Sequence, residues 1–393
     1  ALCDAAIKSG RLMSNVKHQG PLVGLKVIDL ATVVAGPGVA KYFADYGADV
    51  IKVERPSGDS TRSMGWTQPG ESDSLWWKLV NRGKRSLVLD LKQTSDLEVL
   101  KELIDSADLL IENMRPGKIE QLGLDPAELI KRNPKLVVLR VSGFGQSGPY
   151  AQKPGFATIA EALSGLSGLL GEPDGGPLLP PIALTDEVTA LVGSFSAMMA
   201  IFHAKQTGQG QVVEIDLVNS VLQIMGPLPA AWDSMGYLQP RLGSSIPYSI
   251  PRGTYQCSDG VWVALSASAE SVARRLIETV GGGGDPRFVS FQSRFENREA
   301  LEELTRNWIS SRPSAEVISI IDAADAAIAP VYSMQQVIED PHFIERESFT
   351  RVDGILMQNL VARMSRTPGK INSVGPKLGE HTEEIVDEIN AKK

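Results

Sequence analysis

Metal ligands and disulfide partners are scarce in this sequence. Its 393 residues include two cysteines, Cys3 and Cys257, and four histidines, His18, His203, His342 and His381. Two cysteines without CxxC spacing build neither a disulfide framework nor a thiolate cluster, which points to a reducing compartment. The histidines form no HExxH pattern, so no metal site is expected. Long blocks of like charge are missing as well. With 47 acidic against 39 basic residues the net charge is -8, and nucleic acid is not an expected partner. The longest nearly apolar run, Ala190 to Phe202, is too short to span a bilayer and is interrupted by Gly193, Ser194 and Ser196, so no membrane partner is expected. Residues 1–20 lack the apolar core of a secretory signal and form an expected N-terminal extension. A cytoplasmic location follows, with the mitochondrial matrix as the alternative should that extension belong to a processed transit peptide.

What the chain does have is an alternation of short apolar runs with helical stretches. Leu25–Leu30 reads as a buried strand, a small-residue helix follows from about Val34 to Tyr46, and Asp49–Glu54 reads as the next strand, a βαβ unit. The pattern continues through Leu87–Leu91, a helix at Ser95–Ser106, and strands at Asp108–Glu112 and Leu136–Val141. An α/β fold with a doubly wound parallel sheet is expected. After Gln211–Asp216 five prolines, from Pro227 to Pro251, mark a change of texture and a domain boundary. Beyond it, the strand Val261–Leu265 and helices near Ala269–Val280 and Arg298–Ser310 suggest a smaller α+β domain. The expected division is a large domain over 21–225, completed by a tail from 335 to 393, with a small domain over 226–334.

Familiar motifs are mostly unmet. The first βα turn carries Ala35-Gly-Pro-Gly38 instead of GxGxxG, which speaks against a nicotinamide enzyme. The run Gly281–Gly284 follows a helix and lacks the Lys-Ser/Thr of a phosphate-binding loop, so it reads as a connection. No GxSxG elbow supports a serine hydrolase. Charged residues do cluster near strand ends: Arg55 after the second strand, Lys84 and Arg85 before the third, and Asn113, Arg115 and Lys118 after the fourth. Ligands gather at the carboxyl ends of parallel strands, so these make a candidate rim for a phosphorylated ligand.

A second candidate is Asp186, in Ile182-Ala-Leu-Thr-Asp-Glu-Val188. Thr185 offers a cap, and Leu191, Val192, Phe195, Met198, Met199 and Phe202 recur at helical spacing, so Asp186 is expected in the first turn of an amphipathic helix. The partial positive charge of a helix N-terminus would hold it ionised. A carboxylate there can be a simple complement to the dipole or a nucleophile for acyl transfer. Position alone favours the former.

Several longer stretches carry a resemblance. Gly24-Leu-Lys-Val-Ile-Asp-Leu30, Ala35-Gly-Pro37, Gly47-Ala-Asp-Val-Ile-Lys-Val-Glu-Arg55, Asn81-Arg-Gly-Lys-Arg-Ser86, Asn113-Met-Arg-Pro-Gly117, Ser142-Gly-Phe-Gly-Gln146, Thr207-Gly-Gln-Gly-Gln211 and Leu378-Gly-Glu-His-Thr382 together resemble the family III CoA-transferases. The likeness runs from about residue 21 to 386. It implies a Rossmann-like large domain, a smaller domain, two interlocked subunits, and coenzyme A or acyl-CoA as substrate with no tightly bound cofactor. It places the nucleophilic aspartate at Asp186. Contacts to CoA are implied at Val34, Ala35, Arg55, the stretch Leu89 to Lys92, Asn113, Met114, Arg115 and Lys153.

Departures from the family pattern narrow this. A further arginine that some members carry after the Arg-Pro-Gly turn is replaced by Gln121 or Leu122. The glycine-rich loop of the formyl-CoA branch is replaced by Pro247-Tyr-Ser-Ile-Pro-Arg-Gly253, against an oxalate-type acceptor pocket. The α-methylacyl-CoA racemases of the same fold keep a histidine where Phe156 stands, so one base for racemisation is missing. The expected activity is transfer of CoA from an acyl-CoA to a carboxylic acid through an aspartyl-CoA thioester. Arg241 and Arg252 suggest a dicarboxylic, succinate-like acid. The alternatives are a racemase and a catalytically silent CoA-binding protein.

Overall fold

Six short apolar runs become the strands of one parallel sheet. The computed structural model describes residues 20–267 and 269–391, so the expected N-terminal extension lies outside the described residues except for Gly20. The strands are β1 (Lys26–Asp29), β2 (Asp49–Glu54), β3 (Arg85–Val88), β4 (Leu109–Glu112), β5 (Val137–Ser142) and β6 (Val212–Asp216), in the order β3-β2-β1-β4-β5-β6. All neighbours are parallel. A sheet with helices on both faces buries both sides of each strand, which is why Val27-Ile28 of β1 and Leu109-Leu110-Ile111 of β4 are apolar without alternation. One face carries Val27, Val39, Phe43, Leu139, Ala190 and Ala197; the other carries Ile28, Leu87, Leu103, Leu110 and the tail residues Ile385 and Ile389. The chain is therefore a doubly wound α/β protein. Its order reverses between β1 and β4, and that reversal opens a crevice at their carboxyl ends.

The long helix Leu184–Thr207 lies on the first face against the helix Ala35–Asp45. Its buried side is made of small residues, namely Thr189, Ala190, Gly193, Ala197, Ala200 and Ala204 together with Ile201. A Cβ on Gly193 would lie 2.7 Å from Val39 and 2.9 Å from Ile215, so the close approach requires glycine. This corrects the amphipathic expectation: Leu191, Phe195, Met199 and Phe202 point away from the core and are more than half exposed. By length and hydropathy the helix could cross a bilayer, but its small-residue face packs on the sheet.

Two compact units are distinguished. The first comprises residues up to Ser164, Pro181–Ile224 and Glu347 onward; the second comprises Gly165–Pro180 and Met225–Arg346. The tail thus begins at Glu347, not at 335, because the helices Met334–Glu339 and Pro341–Glu345, capped by Ser333 and Asp340, belong to the second unit. Gly165–Pro180 also counts there, tied by Gly243 N–H to Gly171 O at 3.1 Å. In the second unit β7 (Arg252–Gln256), β8 (Trp262–Ser266) and β9 (Ala327–Pro330) form an antiparallel sheet over a core with Val263, Leu276, Ile309 and Ile321. The glycine run closes the helix Glu270–Thr279, with Gly282 N–H bonded to Ile277 O at 2.8 Å. A hairpin, β10 (Phe349–Val352) and β11 (Ile355–Gln358), belongs to the first unit.

Candidate active site

The turn after β1 is held in a conformation its residues do not favour. Val33 has φ +69°, a left-handed backbone that costs a β-branched residue on the order of 1–3 kcal/mol. Three bonds hold it: Thr32 N–H donates to Asn113 Oδ1 at 2.9 Å, Asn113 Nδ2 donates back to Thr32 O at 2.7 Å, and Val33 N–H reaches Asp59 Oδ2 at 3.3 Å. Thr32 and Asn113 follow β1 and β4, so this reciprocal pair spans the point where the strand order reverses.

Below the turn lies a fully buried ionic network. Lys52 Nζ donates to Ala31 O and lies 3.4 Å from Asp59 and 3.8 Å from Asp29. Lys84 Nζ makes 2.8 Å bonds to Asp29, Asn81 Oδ1 and Pro37 O. Burial lowers the Lys84 pKa to about 8, with Asp29 opposing the shift. Lys84 is therefore a support beneath the turn, which corrects its expected place on a ligand rim. Arg85 leaves the rim as well. It opens β3, at the strand's amino end, and pairs with Asp49, Glu384 and Glu388.

Other rim candidates do converge. A cavity of about 350 Å³ is lined by Leu30, Thr32, Arg55, Leu89, Lys92 and Met114, among others. Leu30, Val53, Leu89 and Met114 give it apolar lining, and Arg55 and Lys92 bring positive charge to it. Arg55 is exposed, and its Nε donates to Gly58 O at 3.0 Å. Asn113 joins this group through Thr32. Val34 and Ala35 are buried at the start of the helix Ala35–Asp45, where no side chain caps the free N–H groups. Arg115 is exposed in the turn after β4 and Lys118 donates to Gln121 Oε1 at 3.0 Å. Lys153 lies 3.7 Å over the Tyr150 ring, and its neighbour Gln152 bonds Pro116 O at 3.3 Å, which ties that loop to the Arg115 turn.

Asp186 is not among the residues lining that cavity. It occupies the first turn of the long helix, but the helix begins at Leu184 and Ala183 is the N-cap. Thr185 is consequently inside the helix, and its hydroxyl donates to Glu161 Oε1 at 2.9 Å. Glu161, on the helix Ala157–Leu163, is only 3% exposed. Burial first, then the charges of Glu161 and Glu187, push the Asp186 carboxyl up to about 6. The dipole expectation is thereby corrected: desolvation and two like charges outweigh the helix end. Glu187 itself accepts from Tyr42 Oη at 3.2 Å. Among the described residues no cation pairs with Asp186, so above pH 6 its carboxylate is ionised and uncommitted. Such a group is a competent nucleophile toward an activated carbonyl.

Sequence reasoning missed Glu161, although a lone carboxylate inside the apolar stretch Ala157-Thr-Ile-Ala-Glu-Ala-Leu163 was a visible signal. No group of His, Cys, Asp or Glu among the described residues is arranged to hold a metal ion.

Comparison with known proteins places this geometry. The CoA-transferase family III model matches residues 22–382. The chain is 35% identical over 386 residues to the succinyl-CoA–D-citramalate CoA-transferase of Chloroflexus aurantiacus, covering 96% of each chain. It is 38% identical over 381 residues to the succinyl-CoA–L-malate CoA-transferase beta subunit of the same organism, covering 94% of each. Among solved structures, a CaiB/BaiF family protein from Brucella suis superposes with a TM-score of 0.84 at 30% identity, over 94% of this chain and 100% of that one.

Proposed function

The chain belongs to CoA-transferase family III, and on that premise we propose that it moves CoA between succinate-like dicarboxylic acids, with Asp186 as the nucleophile. The observation that carries this is the Asp186 carboxylate, half-buried at a helix start with a raised pKa and no cation to quench it.

In the proposed cycle an Asp186 oxygen attacks the thioester carbon of the donor. The C–S bond breaks, CoA leaves as thiolate with the bonding pair, and a mixed anhydride remains. The thiolate then attacks the aspartyl carbonyl, and the donor acid departs as its carboxylate. The acceptor carboxylate attacks the resulting aspartyl-CoA thioester and releases the thiolate again. Attack of that thiolate on the acceptor's acyl carbon forms the new acyl-CoA and frees Asp186. Each step trades one acyl bond for another, so the thioester's free energy is conserved. N–H groups of the helix's first turn stabilise the developing oxyanions. In this reading the cavity at Arg55, Leu89, Lys92 and Met114 takes part of CoA, with Arg55 and Arg115 serving its phosphates.

The dicarboxylate reading is supported by the relatives, which are named for succinyl-CoA with citramalate or malate. Arg241 and Arg252, in the second unit, each give one bond to a loop carbonyl, of Glu172 and Ser244 respectively, and retain other donors with which a carboxylate could pair. A second copy of the chain would cover the exposed stripe Leu191, Phe195, Met199 and Phe202, making a homodimer. Turnover with succinyl-CoA and a panel of four- and five-carbon dicarboxylates, read against matched monocarboxylates by mass spectrometry, tests the substrate class. Dicarboxylates should be preferred at least tenfold in kcat/KM. Equal use of monocarboxylates would overturn it.

A further inference from the structure

The pair Glu161 and Asp186 carries an inference that rests on Asp186 being the nucleophile. Glu161 is 3% exposed, and its carboxylate accepts a hydrogen bond from Thr185, the residue immediately before Asp186. Two carboxylates are thus held on adjoining helices in a partly desolvated site.

Neighbouring elements bring little that offsets them. From the helix Ala35–Asp45, Tyr42 addresses Glu187, Lys41 lies 4.0 Å over the Tyr42 ring, and Asp45 is paired with Arg82. On β5, Arg140 is committed to Glu112 and Glu120. On β6, Glu214 accepts from Gln146 N–H and Asp216 from Asn219. The helix Leu217–Ile224 has no titratable side chain.

We propose that Glu161 is a positioning residue that sets the reactivity of Asp186 by placing a fixed negative charge beside it. In the free enzyme the charge of Glu161 opposes ionisation of Asp186. When Asp186 becomes an anhydride or a thioester it is neutral, and the negative charge leaves as thiolate or as the donor's carboxylate. Glu161 therefore destabilises the resting nucleophile relative to both covalent states, and makes its oxygen more basic and more nucleophilic. The Thr185 hydroxyl anchors Glu161 where it acts on Asp186.

The test is Glu161→Gln, which keeps shape and the acceptor for Thr185 but removes the charge. Wild-type protein incubated with succinyl-CoA and no acceptor is first checked for a CoA adduct on Asp186; its absence would sink the nucleophile reading itself. With that adduct established, Glu161→Gln should move the acid limb of adduct formation down by about one pH unit and lower the equilibrium ratio of adduct to free enzyme about tenfold. Thr185→Val, which keeps the charge but removes its anchor, should move the limb by clearly less than Glu161→Gln does. Glu161→Met repeats the measurement with a neutral side chain of similar length should the glutamine variant fail to fold. An unmoved limb and an unchanged adduct fraction in a folded neutral variant would overturn the proposal, as would an equal shift in Thr185→Val.

Discussion

Thr185 donates its hydroxyl to Glu161 Oε1 at 2.9 Å and so does not cap the helix it helps to begin. The bond fixes a buried carboxylate on one helix against the first turn of another. Asp186 is left with a like charge nearby and with its own carboxyl pushed up to about 6. A helix N-terminus ordinarily favours an anion by a few tenths to one kcal/mol, and burial plus two carboxylates exceed that here.

That ordering has a pH signature. The first half-reaction, acyl-CoA with enzyme and no acceptor, requires ionised Asp186, so its rate should fall about tenfold per unit below pH 6 and level off above it. Stopped-flow measurement of thiolate release between pH 4.5 and 8 reads this. A rate still level at pH 4.5 would contradict it.

Stability should show the same group with a definite sign. The folded carboxyl ionises near 6, above its ordinary 3.8, so between about pH 4 and 6 the folded state holds a proton that the unfolded chain has lost. Stability from this group is full below 4 and is lost as pH rises through 6. Asp186→Asn avoids the loss and should be more stable than wild type at pH 7.5, by on the order of 1–2 kcal/mol after allowance for partial exposure. Near pH 4 the gain should vanish. Urea unfolding at both values decides, and a variant less stable at pH 7.5 contradicts the sign.

Two arginines that look alike in sequence should behave differently. Arg55→Ala should weaken acyl-CoA binding by about 1.5–3 kcal/mol, the usual worth of bonds to a charged group. Arg85→Ala should leave that affinity unchanged and cost stability instead, since its guanidinium is taken up by Asp49, Glu384 and Glu388. Calorimetric titration with CoA separates the two, and equal losses would contradict the assignment.

The exposed stripe on the long helix predicts its own cover. Wild-type protein should sediment at about twice the 42.3 kDa chain mass, and Phe195→Glu with Phe202→Glu should shift it to the single chain. Wild-type sedimentation as a single chain would remove the dimer from the account.

Much of the sheet was legible because fully buried parallel strands are short apolar runs, and the reading of Asp49–Glu54 matches β2 residue for residue. The hairpin was legible but unread: Asp353-Gly354, both at positive φ, is a strong two-residue turn signal. The long helix was misread for a physical reason. Hydropathy cannot tell that alanines and Gly193 give the closer packing face, so Leu191, Phe195, Met199 and Phe202 were expected inside. Lys84 misled because its three partners, Asp29, Pro37 and Asn81, meet it only in the fold. Asp186 and Arg55 stood out in sequence, whereas the Glu161 contact depends on how two helices are laid together.

The central claim is that the CoA group is carried on Asp186. Intact-protein and peptide mass spectrometry after incubation with succinyl-CoA, without acceptor, should show a CoA adduct on the peptide containing Asp186, and none in Asp186→Ala. An adduct on another residue, or full turnover by Asp186→Ala, would contradict it.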